Sequence, residues 1–448
     1  MANWHQEFVE NVRKRSCGYW VLVVAMTVIG FLFSEYLPEF RVGVVTGIQG
    51  FVDGVLNRTP GSTSAWTSAA VLIDDPAYYG VFQDRTPLRR DLLGDLTKNL
   101  CDAGARVVGL DMTIGATNSS SPDPYASETT AFRSDVRAAL NERSLCRIVL
   151  AVDIDHGKRV NQLVNPGDFN SERVTEGDSN LPEDQRQIPT HRPIDNGAEE
   201  DSFGWAAVRA YLASHNEIPT EDPGGDYPSA TFVDASELAQ RGRLLYAQNV
   251  LASTCGTDSG ASESRVQECS ALQAQVEGKV ILVGGAWHPD GAGMGELIDR
   301  WPTPLGKMSG VLIHLNYVED ALQTHLVFPT PNLLDRLIEV LICVVLALVT
   351  AGLESTVARL IFLGVACFVL FSTEYISWLV YWRFFDSTIP VIALVGHSLL
   401  HKKAEAFVEP RWPKLLETRC FRKKPPAEAA SRPSRPETPA IGPQKDAS

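Results

Sequence analysis

Residues 71–75 read Val71-Leu72-Ile73-Asp74-Asp75, a short apolar run that ends in two carboxylates. A run of that length with no polar alternation suits a strand buried on both faces. Behind it, Pro87 to Cys101 sets Leu88, Leu92, Leu93, Leu96 and Leu100 at helical spacing. The alternation continues along the chain. Arg106 to Asp111 (RVVGLD) reads as a strand, alanine-rich Thr129 to Asn141 as a helix and Arg147 to Asp153 (RIVLAVD) as a strand. Lys279 to Gly285 (KVILVGG) then precedes a helix over Val311 to His325. Apolar strands separated by helices predict an α/β domain, a mainly parallel sheet with helices on both faces. Ligands of such sheets bind beyond the carboxyl ends of the strands, where Asp74, Asp75, Asp111, Asp153 and Gly285 would gather.

Between Asp155 and Asp201 the pattern gives way to Asn, Pro, Gly, Asp and Glu, and the expectation is a long exposed insertion. Order returns as a helix over Asp201 to Tyr211 and a strand over Ser229 to Asp234, with loop again from Gly256 to Ser264. Of the 8 cysteines, Cys101, Cys146, Cys255 and Cys269 fall in this domain, an even number that suits an oxidising compartment. Cys101 ends a helix before one strand and Cys146 stands before the next. If those strands are parallel neighbours, both thiols lie at one edge of the sheet. Cys255 and Cys269 would close the Ser- and Gly-rich loop; four buried free thiols are the alternative.

Working outward, apolar runs flank the domain. Tyr19 to Phe33 is almost uninterruptedly apolar, continues past Glu35 to Leu37 and follows Arg13, Lys14 and Arg15, as expected of a signal-anchor helix over 19–37 rather than a cleaved signal peptide. Leu333 to Leu353, Leu360 to Trp382 and Phe384 to Leu400 give about three more stretches near the roughly 20 residues a span needs. Four spans put residues 1–18 and 401–448 in the cytoplasm, with Pro38 to Pro331 outside it, a multi-pass protein of the cell inner membrane whose first partner is the lipid bilayer. The charge agrees with this division: the net is -14, yet from His401 onward 11 Lys and Arg face 6 Asp and Glu. That Pro-rich basic tail, Lys402 to Ser448, cannot bury a core and is expected to stay extended.

The motifs of several function classes are missing. No G-x-S-x-G elbow, Walker loop, H-E-x-x-H or zinc spacing occurs, so the expectation is no enzyme, no cofactor, no metal and no nucleic acid. Glu374 and His397, inside expected spans, are too few for a transporter's proton relay. The glycines of 284–295 follow a strand without G-x-G-x-x-G, which reads as a flexible loop. Arg90, just after Pro87, either contacts a ligand or pairs with Asp74 or Asp75. His314 begins a helix on an apolar face, where a packing role competes with ligand contact. Asp299, before Pro302 and Pro304, either serves the site or caps a turn.

VLIDD, the helix start Thr86-Pro87-Leu88-Arg89-Arg90, the strand ending at Asp111, GKVILVGG, and Asp299 with Thr303 to His314 together resemble the type-two CHASE domain. That resemblance implies an extracytoplasmic sensor domain between one N-terminal span and about three C-terminal ones, relaying a signal to a cytoplasmic output. The residues expected to contact an unknown ligand are Asp74, Asp75, Arg90, Asp111, Asp299 and His314. After Leu400 no cyclase, kinase or phosphatase domain is expected, so the output would be a separately encoded effector protein. A homodimer is a further expected partner. A constitutive scaffold binding another envelope protein is the alternative function, with an envelope enzyme or transporter behind it.

Overall fold

A computed structural model of the chain describes residues 66–384 apart from short internal stretches, the longest being 218–229, together with 8–12, 20 and 23–25. Its centre is a six-stranded sheet. In chain order the strands are β1 (Ser68–Asp74), β2 (Val107–Asp111), β3 (Arg147–Val152), β4 (Val174–Asp178), β5 (Leu244–Tyr246) and β6 (Val280–Ala286). Their spatial order is β4-β3-β2-β6-β1-β5, and every pairing is parallel.

Alternate side chains divide the strands between two cores, as the pleat requires. Val71 and Ile73 of β1, with Val108, Ile148 and Ile281, meet α1 (Arg90–Asp102), α2 (Ala126–Glu142), α5 (Ala247–Ala252) and α6 (Glu263–Val276). Ala70 and Leu72, with Val107, Val149 and Leu282, meet α3 (Phe203–Ser214), the short α4 (Ala235–Gln240) and α7 (Gly310–Leu322) on the other face. Passage from β1 to β2 and from β5 to β6 runs one way along the sheet over the first face. Passage from β4 to β5 runs the opposite way over the second face, so all have one hand. The α/β sheet covered on both sides is therefore as the apolar runs predicted.

Helix α7 is fastened to the sheet at the start of β1 and along β6. Glu319 on α7 is 3% exposed and accepts from the Thr67 backbone N–H at 3.2 Å and from Ser68 Oγ at 2.5 Å. Gly284 lies so close to α7 that a Cβ there would collide with Val311. Both cysteine pairs form disulfides: Cys101–Cys146, with Cα atoms 5.7 Å apart, and Cys255–Cys269, 5.2 Å apart. The first joins the end of α1 to the residue before β3, which does run parallel beside β2.

Three expectations need correction. The stretch read as an exposed insertion, 155–201, supplies the edge strand β4 and buries Val164, Phe169, Leu181 and Ile188. It was hard to read because β4, VTEGD, is an edge strand with one large apolar side chain. Residues 232–234 are not a strand: Asp234 caps α4, accepting from the Glu237 backbone N–H at 2.8 Å. Glu263 and Ser264, read as the end of a loop, already belong to the helix α6.

The chain divides into two compact units, and the sheet domain lies in the one formed by Phe33–Glu339 and Phe368–Thr388. In the other, Asn11 Nδ2 donates to the Gly352 carbonyl at 3.2 Å. The stretches expected to span at 333–353 and 360–382 are helical, as α8 (Asn332–Gly352) and α9 (Thr356–Tyr381). Side chains at 332–336, 338–340 and 377–381, and that of Glu374, lie outside the described residues. Among the described residues no helix is long and apolar enough to cross a membrane. Most of the first expected span, the last one, His397, the tail and the glycine-rich 290–297 also lie outside them.

Candidate functional site

The carboxyl ends of the strands carry, among the described residues, two separate polar arrangements and a pocket. Asp74 closes β1, and its Oδ1 accepts from the Ala77 backbone N–H at 3.1 Å, turning the chain into a one-turn π-helix over Pro76–Val81. Asp75 reaches the loop after β6, where it accepts from the His288 backbone N–H at 2.6 Å and meets His288 Nδ1 at 2.8 Å. Burial opposes its ionisation, yet the His288 backbone bond, imidazole bond and charge together hold its carboxyl below the usual range. Tyr79 adds a bond from its hydroxyl to the His288 carbonyl. These residues lash two loops together.

The second arrangement lies against α7. Asp299 has a positive φ of 53°, and its Oδ1 accepts from the Trp301 indole at 2.5 Å. Its carboxylate packs on Gly310, the first residue of α7, where any Cβ would collide with it. That end of a helix favours negative charge, but burial still raises the Asp299 pKa. Burial, and then the Asp299 charge, push Asp111 well above the carboxylate range. The Asp111 side chain is 5% exposed, and its Oδ2 is buried without a partner. His314 is 1% exposed and stands 3.8 Å from Asp111 Oδ1, too far for a hydrogen bond. Its Nε2 faces the Ser179 carbonyl at 3.3 Å, which assigns the proton to that nitrogen, and its ring meets Phe203 edge-on. Burial lowers its pKa to about 4, so the imidazole is neutral.

Arg90 pairs with neither Asp74 nor Asp75, contrary to that expectation. It opens α1 at 2% exposure and donates to Asp123 at 2.6 Å, Thr129 at 2.7 Å and the Gly115 carbonyl at 3.1 Å. Beside it, Arg85 lies 4.1 Å from the centre of the Tyr125 ring and binds Glu128 through two bonds of 2.7 Å. The two arginines fasten the segment leading into α2 over the start of α1.

Arg90 also contributes to the wall of a pocket of about 290 Å³. Leu93 and the loop Thr86-Pro87-Leu88 form one side, Met112 to Gly115 after β2 a second, and Trp287 and Ile298 a third. The position, beyond the carboxyl ends of β2 and β6, is where open α/β sheets bind ligands. Of the six residues singled out from sequence, the structure buries Asp111 and His314 in the interior, sets the exposed Asp299 near Asp111, and puts Arg90 alone at the pocket. Trp287 and Met112 were missed, because an aromatic or a methionine after a strand carries no motif.

Asp178, at the end of β4, was missed as well, inside the supposed insertion. Burial raises its pKa to about 6 although Arg192 Nε lies 2.9 Å away. Among the described residues no three His, Cys, Asp or Glu side chains are arranged to hold a metal ion.

Comparison with curated proteins and with solved structures gives no match. Comparison with family descriptions gives one that covers most of the sheet domain: the CHASE2 domain matches residues 21–351, well over half of the chain. The strand ends, the helix start at Arg90 and the turn from Asp299 into α7 all fall within that match, and the chain belongs to the CHASE2 family of sensor domains.

Proposed function

We propose that this chain is a membrane receptor whose CHASE2 domain lies outside the cytoplasm, binds a small ligand in the pocket beyond β2 and β6, and passes the event through its spans. The observation that carries this reading is the pocket of about 290 Å³ at the ligand-binding edge of a sensor-family sheet. Membrane residence is supported by the four apolar runs and by exposed apolar side chains on α8 and α9, among them Leu341, Ile361 and Phe368. A binding role is supported by the placement of Asp111 and His314, interior side chains that do not line the pocket. The basic Pro-rich tail, Lys402 to Ser448, would then dock a separately encoded effector.

A ligand transmits a signal only if it favours one arrangement of the receptor over another. Met112→Trp fills the pocket and imitates occupancy. In full-length protein in lipid nanodiscs, this substitution is expected to change amide hydrogen exchange over 332–352. Unchanged exchange there, in a folded variant, would favour a constitutive scaffold and sink the receptor reading.

A further inference from the structure

The pocket's walls bear on which charge it admits, an inference that rests on its being the ligand site. Arg90 is the one charged residue among the described residues that line it. Its guanidinium is already answered from within the protein by the Asp123 carboxylate at 2.6 Å, the Thr129 hydroxyl at 2.7 Å and the Gly115 carbonyl at 3.1 Å. An anion entering the pocket would have to displace Asp123 from its pair with the buried Arg90. A cation would face Arg90 with no carboxylate among the described lining residues to balance it. An unpaired charge in such surroundings costs far more than an apolar contact returns.

The rest of the lining is mainly apolar. Leu88, Leu93, Met112, Ile114, Trp287 and Ile298 are all part of it. Trp287 is held rigid by parallel stacking on Tyr78, ring centres 4.5 Å apart, and Tyr78 is itself tied through its hydroxyl to Thr86 at 3.1 Å. That bond occupies one of the wall's two hydroxyls and leaves Thr113 to supply the other. A fixed indole and a polarizable thioether on facing loops form good surfaces for rings. We infer that the pocket takes an uncharged, predominantly apolar small molecule, and that the neutralised Arg90 excludes charged ones. The volume, at the lower end for ligand sites, restricts the occupant to a small one.

Benzophenone is such a molecule, and under near-ultraviolet light it bonds covalently to nearby C–H groups, methionine side chains above all. Full-length protein in lipid nanodiscs is irradiated with benzophenone or with its anionic analogue 4-benzoylbenzoate at equal concentration, and the labelled residues are mapped by mass spectrometry. Label from benzophenone is expected at Met112, at least tenfold above that from the anion. Thr113→Lys, which adds an ammonium group to the wall, is expected to reverse the preference; retention of both disulfides in the variant checks its fold. Equal or stronger labelling of the wild-type Met112 by the anion overturns the charge inference while leaving the pocket as a ligand site. No label at Met112 from either reagent overturns that inference and the pocket's role together.

Discussion

Asp111 has one oxygen without a partner and a second carboxylate, Asp299, for company. Its folded pKa therefore lies above the ordinary value of about 3.9. Above that pH the folded chain keeps a proton that the unfolded chain has released, so stability falls as pH rises, by up to about 1.4 kcal/mol per unit. His314 works in the opposite direction. Its folded pKa is lowered to about 4, so below the ordinary value of 6.5 the unfolded chain takes up a proton that the folded one refuses, and stability falls as pH drops. Removing the carboxyl by Asp111→Asn is thus expected to raise stability near pH 8, with the gain fading as pH approaches about 4. Urea midpoints of both proteins across this range measure it. A variant less stable than wild type near pH 8 would mean that Asp111 is ionised and paired in the fold.

The disulfides act on whole elements. Cys101–Cys146 ties the end of α1 to the entry of β3 across 45 residues, and Cys255–Cys269 ties the segment after α5 into α6 across 14. Each is expected to contribute on the order of 3 kcal/mol, the longer loop somewhat more. Peptide mapping without reductant would recover both crosslinked pairs; four alkylatable thiols in the native protein would contradict them. The first pair was legible because strand and helix boundaries around it were legible: β1, β2, β3 and β6 are buried on both faces and so read as continuous apolar runs. The elements that escaped are those with little burial to record. Strand β4 lies at one edge, and β5 at the other edge is only three residues, Leu244–Tyr246. The partner of Arg90 escaped for another reason. Asp123 stands 33 residues away in a segment without periodicity, and only the fold brings it to α1.

At the scale of the molecule, the basic residues before Tyr19 and after Leu400 predict that both termini stay in the cytoplasm with the sheet domain outside. Fusions of a periplasm-active and a cytoplasm-active reporter at Ser262 and Ala430 test this. The Ser262 fusion is expected to be active only outside and the Ala430 fusion only inside; cytoplasmic activity at Ser262 would overturn the scheme. The order of the sheet adds a constraint of timing. Strand β6 sits between β1 and β2, so Ser68 waits for Val280 before the middle of the sheet can close. During synthesis the earlier strands emerge with open edges and no neighbour to pair with, and pairings this distant along a chain form slowly. Such edges are the parts of a nascent domain that chaperones must shield, so its yield depends on how long that exposure lasts.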